Sequence, residues 1–387
     1  MLEKRNAEND KLETVGFDSL RVSRFLARKN KDPVKILGEA LGKPFLAYRE
    51  LWDRAKNFFE APPFPLHVDY ELARKCNLRC PMCPMGDGGE PAIGPAENGA
   101  AALGPESGVL TPDAVKALID EGAREGQKAM GFGGLWEPLL SDDLPWLVAR
   151  GRDKGFVDVM FNTNGTLLRR ELGKRLAEAG LTRIMISVDA VSEKTRGLMR
   201  PGVSLKRVEE NIMDFLDVRG KRKLPLVRLS FLVTSLNEAE LPAFLEKWED
   251  KVDFLSIQRY GNFNPKSPGL FPENPPGDLP GGSCAQPFKR LLVTHEGKVL
   301  PCCDLSGTGL VLGDIREDSL KAVWTGEAMK RVREEAKKET GDHAPGTACQ
   351  TCKSKYRRPR DRSRGAVRKG DDCVSGKSPG EGLEPGV

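Results

Sequence analysis

The sequence predicts an α/β protein whose main part is a partial (β/α)6 TIM-like barrel, followed by a small C-terminal α+β domain. Three observations lead to this prediction. Six short apolar runs between residues 67 and 258 alternate with stretches of helical periodicity, which is typical of β-α units around a parallel sheet. A connector rich in Pro, Gly and Asn covers residues 260–283 and marks a domain boundary. Eight of the nine cysteines form two groups, one on each side of this connector.

Changes in composition and periodicity divide the chain into five segments. The first segment reads as helices only, and within it Lys43 to Glu60 has aromatic and aliphatic residues at three- and four-residue steps before Pro62. The predicted segments are a helical N-terminal extension (1–64), the barrel (65–259), a linker (260–283), an auxiliary domain (284–355) and a basic disordered tail (356–387).

The barrel segment begins with a strand at His67, and the remaining elements follow in regular order. Because the carboxyl ends of parallel strands meet at one edge, functional groups are expected there. Residues 85–109, crowded with Gly, Pro and Ala, form an irregular loop after the first strand. Beyond the linker, apolar runs on both sides of residues 295–298 predict a β-hairpin, and residues 318–338 predict a helix. The later strands begin near Lys128, Val157, Arg183, Leu226 and Val252, and the helices begin near Thr111, Ser141, Leu168, Leu205 and Glu238.

Composition narrows the class of protein. Apolar residues make up 39% and charged residues 30%, and no apolar run is long enough to span a bilayer. The N-terminus lacks the features of a secretory signal, so we expect a cytoplasmic protein whose reduced cysteines serve as ligands rather than disulfides. The net charge of +5 comes from residues 351–387, which hold ten Lys/Arg and five Asp/Glu. We interpret this tail as a solvated terminus, and nucleic acid is not an expected partner.

The first cysteine group lies in the loop directly after the first strand. Cys76, Cys80 and Cys83 bring three thiolates together from one short segment at the open edge of the sheet. Three cysteines on a 4Fe-4S cluster leave one iron without a protein ligand, free to bind another group. A structural zinc site normally has a fourth protein ligand, which this segment alone does not supply.

This C-x-x-x-C-x-x-C spacing after the first strand of a β-α repeat resembles the radical S-adenosylmethionine (SAM) superfamily. The resemblance implies that the open iron binds SAM and that electron transfer cleaves it to methionine and a 5′-deoxyadenosyl radical, which abstracts a substrate hydrogen. It also implies an electron donor such as a reductase, flavodoxin or ferredoxin. Met82 stands where many members carry an aromatic residue, and an apolar cover suffices there.

The same resemblance extends to the ends of the later strands. The Gly133-Gly134 pair and Glu137 resemble the Gly-Gly-Glu element that holds the methionine ammonium, although two residues separate Glu137 from the glycines. Arg200 resembles the arginine that pairs with the cofactor carboxylate, and a surface arginine is the alternative. The implied cofactor-binding residues are Gly133, Gly134, Glu137, Asn164, Ser187, Asp189, Arg200 and Val233.

The second cysteine group follows the linker. Four of its five cysteines can complete a thiolate shell, and spacing alone leaves zinc open as the metal. The order of single cysteine, hairpin, cysteine, helix and C-x-x-C resembles the twitch domain, a shortened relative of the SPASM domain. This resemblance implies one auxiliary 4Fe-4S cluster. The implied ligands are Cys284, Cys302, Cys349 and Cys352, with Cys303 as the alternative to Cys302 and Cys373 left as a free thiol.

These features predict a radical SAM enzyme, with an oxidoreductase as the favoured class. In such families an auxiliary cluster commonly accepts an electron from the substrate radical. We expect a small hydroxylated substrate such as a sugar or aminocyclitol, because peptide-modifying relatives often carry a unit of strands plus helices and the extension here reads as helices only. The alternatives are a peptide or protein side-chain maturase and a non-catalytic zinc-binding protein with an RNA-binding tail. The sequence assigns no catalytic acid or base.

Overall fold

A computed structural model defines the fold of most of the chain. The residues that it describes are 12–14, 22–28, 32–72, 76–83, 110–260, 268–273, 283–302 and 310–338.

Eleven strands in these residues form one sheet, in the order β1-β2-β8-β7-β6-β5-β4-β3-β9-β10-β11. The strands are β1 (Leu12–Thr14), β2 (Val22–Arg28), β3 (His67–Tyr70), β4 (Ala129–Phe132), β5 (Asp158–Thr163), β6 (Arg183–Ser187), β7 (Leu226–Val233), β8 (Phe254–Arg259), β9 (Arg290–Val293), β10 (Lys298–Leu300) and β11 (Gly313–Asp314).

Helices connect these strands. No helix of the described ranges has both the length and the apolar composition needed to cross a bilayer. The α-helices are α1 (Pro33–Leu41), α2 (Lys43–Phe58), α3 (Pro112–Arg124), α4 (Leu144–Asp153), α5 (Arg170–Glu178), α6 (Glu193–Met199), α7 (Leu205–Arg219), α8 (Leu241–Trp248), α9 (Leu320–Thr325) and α10 (Glu327–Lys337).

The predicted β-α repeat is confirmed. Strands β3 to β8 are parallel and neighbour one another in chain order, with Tyr70 opposite Phe132 and Phe132 opposite Phe161. Alternate strand residues, such as Val68 and Ile184, join the apolar core under the helices. Because side chains on a strand alternate between its two faces, the residues between them face the interior of the curved sheet.

Local capping explains where several helices begin. The Thr111 side chain accepts a hydrogen bond from Ala114 N, and Ser204 accepts one from Arg207 N, so α3 and α7 begin where predicted. Helix α6 was not predicted, because a helix of only 7 residues, about two turns, carries little periodicity. The helix predicted over residues 318–338 is interrupted at Gly326, which separates α9 from α10.

The prediction of an N-terminal extension made of helices only is wrong. Helices α1 and α2 are present, but β1 and β2 precede them, and β2 pairs antiparallel with β8. Strand β8 ends the parallel series, so its free backbone groups provide an edge on which β2 can pair. On α2, Trp52 is buried, whereas Leu51 and Phe58 are exposed.

The predicted hairpin after the linker is confirmed, and it belongs to the same sheet as the barrel. We call β9, β10 and the turn between them (290–300) the auxiliary hairpin. Its two strands are antiparallel, and β9 pairs in parallel with β3, with His67 opposite Arg290 and Tyr70 opposite Val293. The auxiliary hairpin therefore extends the barrel sheet next to the strand that leads into the first cysteine group.

Candidate active site

The first cysteine group lies at the carboxyl edge of the sheet, just after β3. Cys80 is buried, while Cys76 and Cys83 are half-buried. Burial raises the pKa of the Cys80 thiol, although Arg200 lies close enough to oppose this. An apolar cluster encloses the segment, and Met82, predicted as an apolar cover, belongs to it. The buried members of this cluster are Leu78, Cys80, Met82, Met199, Tyr260 and Leu270.

A hydrogen-bonded loop after β5 holds the cysteine segment in place. Asn164 Nδ2 donates to Asn77 Oδ1 at 2.9 Å and lies 3.9 Å from Cys76 Sγ. Asn77 Nδ2 in turn donates to Thr166 Oγ1 at 2.7 Å, and Thr166 Oγ1 donates to Asn164 Oδ1 at 2.6 Å. The predicted Asn164 is thus brought against the first cysteine, and its amide faces the sulfur.

Arg200 and Asp189 form a buried ion pair beside Cys80. The two atoms Arg200 Nε and Nη2 lie 2.7 and 2.6 Å from Asp189 Oδ2, and Arg200 Nη1 lies 3.9 Å from Cys80 Sγ. Burial works to lower the pKa of Arg200, but the charge and hydrogen bond of Asp189 and the nearby Cys80 and Cys83 together outweigh burial and raise that pKa. Asp189 is 0% exposed, and its Oδ1 accepts a hydrogen bond from Leu232 N. Arg200 therefore stays protonated beside the cysteine segment.

A second buried arginine supports this arrangement. Arg196 donates from Nη1 to Val188 O at 3.2 Å, and its Nε donates to Val203 O. Burial lowers its pKa to about 10, and the nearby charge of Arg200 contributes to this shift. Arg196 thus lies near enough to Cys80 for its charge to work against the burial of that thiol.

These residues fit a bound iron-sulfur cluster. Two of the three sulfurs have an N–H donor at 3.9 Å, and hydrogen bonds to sulfur and exclusion of solvent are the means by which proteins tune such clusters. Within the described residues no group of three His, Cys, Asp or Glu side chains is close enough to hold a single metal ion. A cubane binds each thiolate to a different iron, so its ligands stand farther apart than those around one ion.

Glu137 is enclosed by the chain itself. Its Oε1 accepts from Thr163 Oγ1 at 2.6 Å and from Leu139 N at 3.1 Å, and its Oε2 accepts from Asn164 N at 2.8 Å. Burial raises the pKa of Glu137 despite these hydrogen bonds. In this arrangement Glu137 positions the Asn164 loop, and its predicted contact with a ligand ammonium stays a prediction.

The other predicted residues occupy the strand ends. Gly133 and Gly134 follow β4 with φ of 156° and 142°, and Gly133 N donates to Tyr70 O. Ser187 ends β6 on the interior face, 3.3 Å from Ser230 Oγ. Val233 ends β7 and is buried in the apolar core, so only its backbone is available to a ligand.

The described part of the second cysteine group flanks the auxiliary hairpin. Cys284 precedes β9, and its N donates to Ala336 O of α10 at 2.6 Å, while Cys302 follows β10. Because the hairpin strands are antiparallel, both cysteines are at the end of the hairpin opposite its turn. The remaining cysteines, Cys303, Cys349, Cys352 and Cys373, lie outside the described residues, as do the loop 85–109 and the tail 356–387.

Sequence reasoning missed three residues at this site. Asn77 accepts a hydrogen bond from the predicted Asn164, the Arg196 backbone oxygen accepts one from the N–H of the predicted Arg200, and Glu71 lies next to Gly134, where a Cβ would overlap its carboxylate. Asn77 lies inside the cysteine motif, which could have identified it. Nothing in the local sequence signals the positions of Arg196 and Glu71, because both depend on how distant segments pack.

Comparison with known families is consistent with this geometry. The family model described as "Radical SAM superfamily" matches residues 70–247, and the SPASM model, described as "Iron-sulfur cluster-binding domain", matches residues 284–353. The first match covers most of the barrel, from the end of β3 to α8, with the first cysteine group. The second covers the auxiliary hairpin and the second cysteine group.

Two curated proteins illustrate the similarity. The Fe-coproporphyrin III synthase of Methanosarcina barkeri is 31% identical over 188 residues, which are 48% of this chain and 41% of that protein. The GTP 3′,8-cyclase of Aquifex aeolicus is 32% identical over 199 residues, or 50% of this chain and 57% of that protein. The chain therefore spans about half the length of these relatives.

Solved structures share the fold. The structure of anSMEcpe with bound AdoMet has a TM-score of 0.52 at 15% identity, covering 71% of this chain and 81% of that one. Streptococcus suis SuiB bound to the precursor peptide SuiA has a TM-score of 0.51 at 15% identity, covering 75% and 71%. At these identities the likeness concerns the fold alone.

Proposed function

Because this chain belongs to the radical SAM superfamily and carries a SPASM iron-sulfur domain, we propose that it cleaves SAM reductively and abstracts hydrogen from a substrate. The radical SAM domain binds a 4Fe-4S cluster and SAM, and the SPASM domain binds auxiliary iron-sulfur clusters. The observation that carries the proposal is the cysteine segment at the carboxyl edge of the barrel, with Arg200 and Asn164 facing its sulfurs.

The residues of this chain have separate tasks in the proposed reaction. Cys76, Cys80 and Cys83 would hold the cluster, which when bound supplies the electron that splits SAM into methionine and a 5′-deoxyadenosyl radical. Arg200 provides a cation for the SAM carboxylate, held in place by Asp189. The apolar side chains around the segment, Met82 among them, exclude water from a reactive radical.

The activity is tested on anaerobically reconstituted protein. We expect about eight irons per chain for two 4Fe-4S clusters, with brown absorbance. Addition of SAM and dithionite should then yield 5′-deoxyadenosine, slowly even without substrate. Reconstituted protein that contains zinc at these cysteines, or iron-loaded protein that makes no 5′-deoxyadenosine, would refute the proposal. The non-catalytic zinc alternative gains no support from the family matches.

For the substrate, we propose net oxidation of a small hydroxylated molecule, with one auxiliary cluster on Cys284, Cys302, Cys349 and Cys352 accepting the electron. The support comes from three serines on neighbouring strands. Ser187 pairs in register with Ser230, and Ser230 with Ser256, on the interior face below the site. Ser256 Oγ is buried and has no hydrogen-bond partner among the residues that the structure describes. A row of hydroxyls suits a ligand that both donates and accepts hydrogen bonds.

The alternative is oxidation or cross-linking of a peptide side chain. The strands of the N-terminal extension favour it, because their absence was the reason for preferring a small substrate. In the described residues no strand pairs with the outer side of β1, and exposed strand edges are common docking places for extended peptides. The structure thus removes one argument against a peptide.

A deuterium experiment separates the two substrates. Candidate aminocyclitols and hexoses deuterated at their carbinol carbons are incubated with the reconstituted protein, and 5′-deoxyadenosine is analysed by mass spectrometry. Deuterium transfer together with carbonyl formation supports the small substrate. Failure of such a panel, combined with turnover that depends on residues 12–28 and on a peptide, would favour the maturase. We also propose a flavodoxin, ferredoxin or reductase as electron donor and the cytoplasm as location.

A further inference from the structure

Glu71 is a buried carboxylate that the proposed reaction does not use. It follows β3 directly and is 3% exposed. Its Oε1 accepts a hydrogen bond from Leu135 N at 2.9 Å, and its Oε2 lies 3.4 Å from His295 N and 3.5 Å from His295 Nδ1. One carboxylate therefore contacts both the loop after β4 and the auxiliary hairpin.

The approach of Glu71 to the loop after β4 requires a glycine. A Cβ on Gly134 would overlap Glu71 Oε1, and the φ of +142° at Gly134 also disfavours a side chain. The loop backbone thus lies directly against the carboxylate. A displacement of Glu71 would therefore remove this contact with the backbone at Gly134.

His295 occupies the turn of the auxiliary hairpin. Its imidazole lies between two carboxylates, with Nε2 3.2 Å from Glu296 Oε1 on the side away from Glu71. The Trp136 ring meets the imidazole at a centroid distance of 5.9 Å and an angle of 85°. Since Trp136 belongs to the same loop as Gly134, the hairpin turn contacts that loop both directly and through Glu71.

Strand pairing alone does not require this arrangement. Strands β3 and β9 are already joined in register from His67 opposite Arg290 to Tyr70 opposite Val293. A buried carboxylate carries a desolvation cost that is offset only by charged or hydrogen-bonding partners. What Glu71 adds beyond the strand pairing is a connection from the hairpin turn to residues 133–136.

The auxiliary hairpin therefore has two functional ends. Cys284 and Cys302 flank the end where β9 begins and β10 finishes, and His295 lies in the turn at the opposite end. Two hydrogen-bonded strands join these ends, so a constraint imposed at the cysteines is transmitted along a rigid element.

We propose that Glu71 and His295 are positioning residues for SAM binding, through which the auxiliary hairpin fixes the loop 133–136. This inference rests on the proposed function and on the predicted role of Gly133 and Gly134, which resemble the element that holds the methionine ammonium of SAM. Neither residue touches SAM in this scheme. Glu71 supports the loop through Leu135 N, and His295 keeps the Glu71 carboxylate in place.

Hydrogen exchange in the cofactor-free protein tests whether Glu71 and His295 hold the loop 133–136. Equilibrium dialysis of SAM against the reconstituted protein tests whether this loop position affects SAM binding. Glu71→Ala and His295→Ala should each increase exchange at the Leu135 amide about tenfold and raise the Kd for SAM about tenfold. Glu71→Gln keeps an oxygen acceptor and should restore the slow exchange. The matched control is Lys298→Met in the same hairpin, which removes the 2.8 Å pair with Asp314 without touching Glu71 and should change neither quantity.

Gly134→Ala provides a second route to the same result, because its Cβ would overlap Glu71 Oε1 and displace the carboxylate without replacing Glu71 or His295. It should reproduce the Glu71→Ala exchange pattern. Unchanged exchange at the Leu135 amide in both Glu71→Ala and His295→Ala overturns the proposal. Raised exchange in these two variants with an unchanged Kd for SAM also overturns it. A wild-type protein that binds no SAM refutes the proposed function itself, whereas variants that bind SAM as well as wild type refute only this inference.

Discussion

The two ends of the barrel contain the same kinds of residues in different arrangements. At the amino edge, helix α2 covers the sheet, and Trp52 lies 4.5 Å from Lys289 Nζ and edge-on to His67. Asp158 binds Arg183 there through both carboxylate oxygens. At the carboxyl edge, Asp189 binds Arg200, yet one nitrogen of that arginine faces a cysteine sulfur.

This difference separates a structural ion pair from one that can act on a ligand. The Asp158 carboxylate also accepts a hydrogen bond from Thr182, so the partners that it binds, Arg183 and Thr182, both belong to the neighbouring strand β6 or directly precede it. Asp189 uses only one oxygen for Arg200 and leaves Nη1 directed at Cys80. Substitutions at the amino edge should therefore change stability, and those at the carboxyl edge should change cofactor binding.

The largest effect is expected from Cys80→Ser. The serine keeps the shape of the segment but removes the thiolate ligand, so the first cluster should be lost and 5′-deoxyadenosine should fall to background. Iron analysis and product assay after anaerobic reconstitution measure both. Cys373→Ser, in the predicted tail, should keep full iron content and activity. Retained SAM cleavage in Cys80→Ser would show that the reaction does not take place at the carboxyl edge.

Trp52→Ala tests the closed end. Trp52 is 3% exposed, and its loss should reduce the free energy of unfolding by about 3 to 5 kcal/mol, as for other buried aromatic residues. Denaturant unfolding of the cofactor-free protein measures this. The folded fraction should still bind SAM with wild-type affinity after reconstitution. A large change in that affinity would mean that the two ends are not independent.

Asp158→Asn sharpens the comparison through its pH dependence. Burial raises the pKa of Asp158, but Arg183 and the hydrogen bonds from Arg183 and Thr182 outweigh burial and hold it below its usual range. A carboxyl with a lowered folded pKa stabilises the protein above its unfolded pKa of about 3.9, and this contribution is lost as the pH falls through the folded value.

At pH 7 the substitution should therefore lower the free energy of unfolding by about 3 kcal/mol, because it removes the buried carboxylate charge that pairs with Arg183. The difference from wild type should shrink steadily below about pH 4. Urea unfolding at pH 7 and below about pH 4 measures this difference in the free energy of unfolding. Asp189→Asn is the matching substitution at the carboxyl edge. An Asp158→Asn deficit that is independent of pH would contradict the assigned ion pair.

The barrel can be predicted from the sequence because the signals for its strands and helices are local. Apolar runs define β3 to β8, and Thr111 and Ser204 mark helix starts through side-chain caps that depend on only three residues. Strands β1 and β2 escaped prediction because β2 is stabilised by pairing with β8, more than two hundred residues away. The junction of β9 with β3 is likewise a tertiary pairing that periodicity cannot reveal.

The residues of the candidate site likewise fall into those that local sequence predicts and those that depend on tertiary contacts. Cysteine spacing indicated where a cluster would lie, because all three thiols come from one segment. The enclosure of Glu137 by Thr163 and Asn164, and the orientation of Arg200 by Asp189, depend on contacts between separate strand ends. Residues that act through a neighbour, such as Glu71, leave no local pattern.

The smallest effect is expected from Asn77→Ala, which loosens the reactive edge without removing a ligand. Asn77 accepts from Asn164 and donates to Thr166, so its loss breaks two neutral hydrogen bonds on a partly exposed side chain. The free energy of unfolding should fall by about 1 kcal/mol, since each such bond contributes modestly. Cys76 and Asn164 would then be less well aligned, and the Kd for SAM should rise several-fold while iron content stays full. Thr166→Val removes the bond from Asn77 and the bond to Asn164 Oδ1, and should give a similar change in the same direction. An Asn77→Ala protein with wild-type SAM affinity would mean that the loop after β5 only supports the fold.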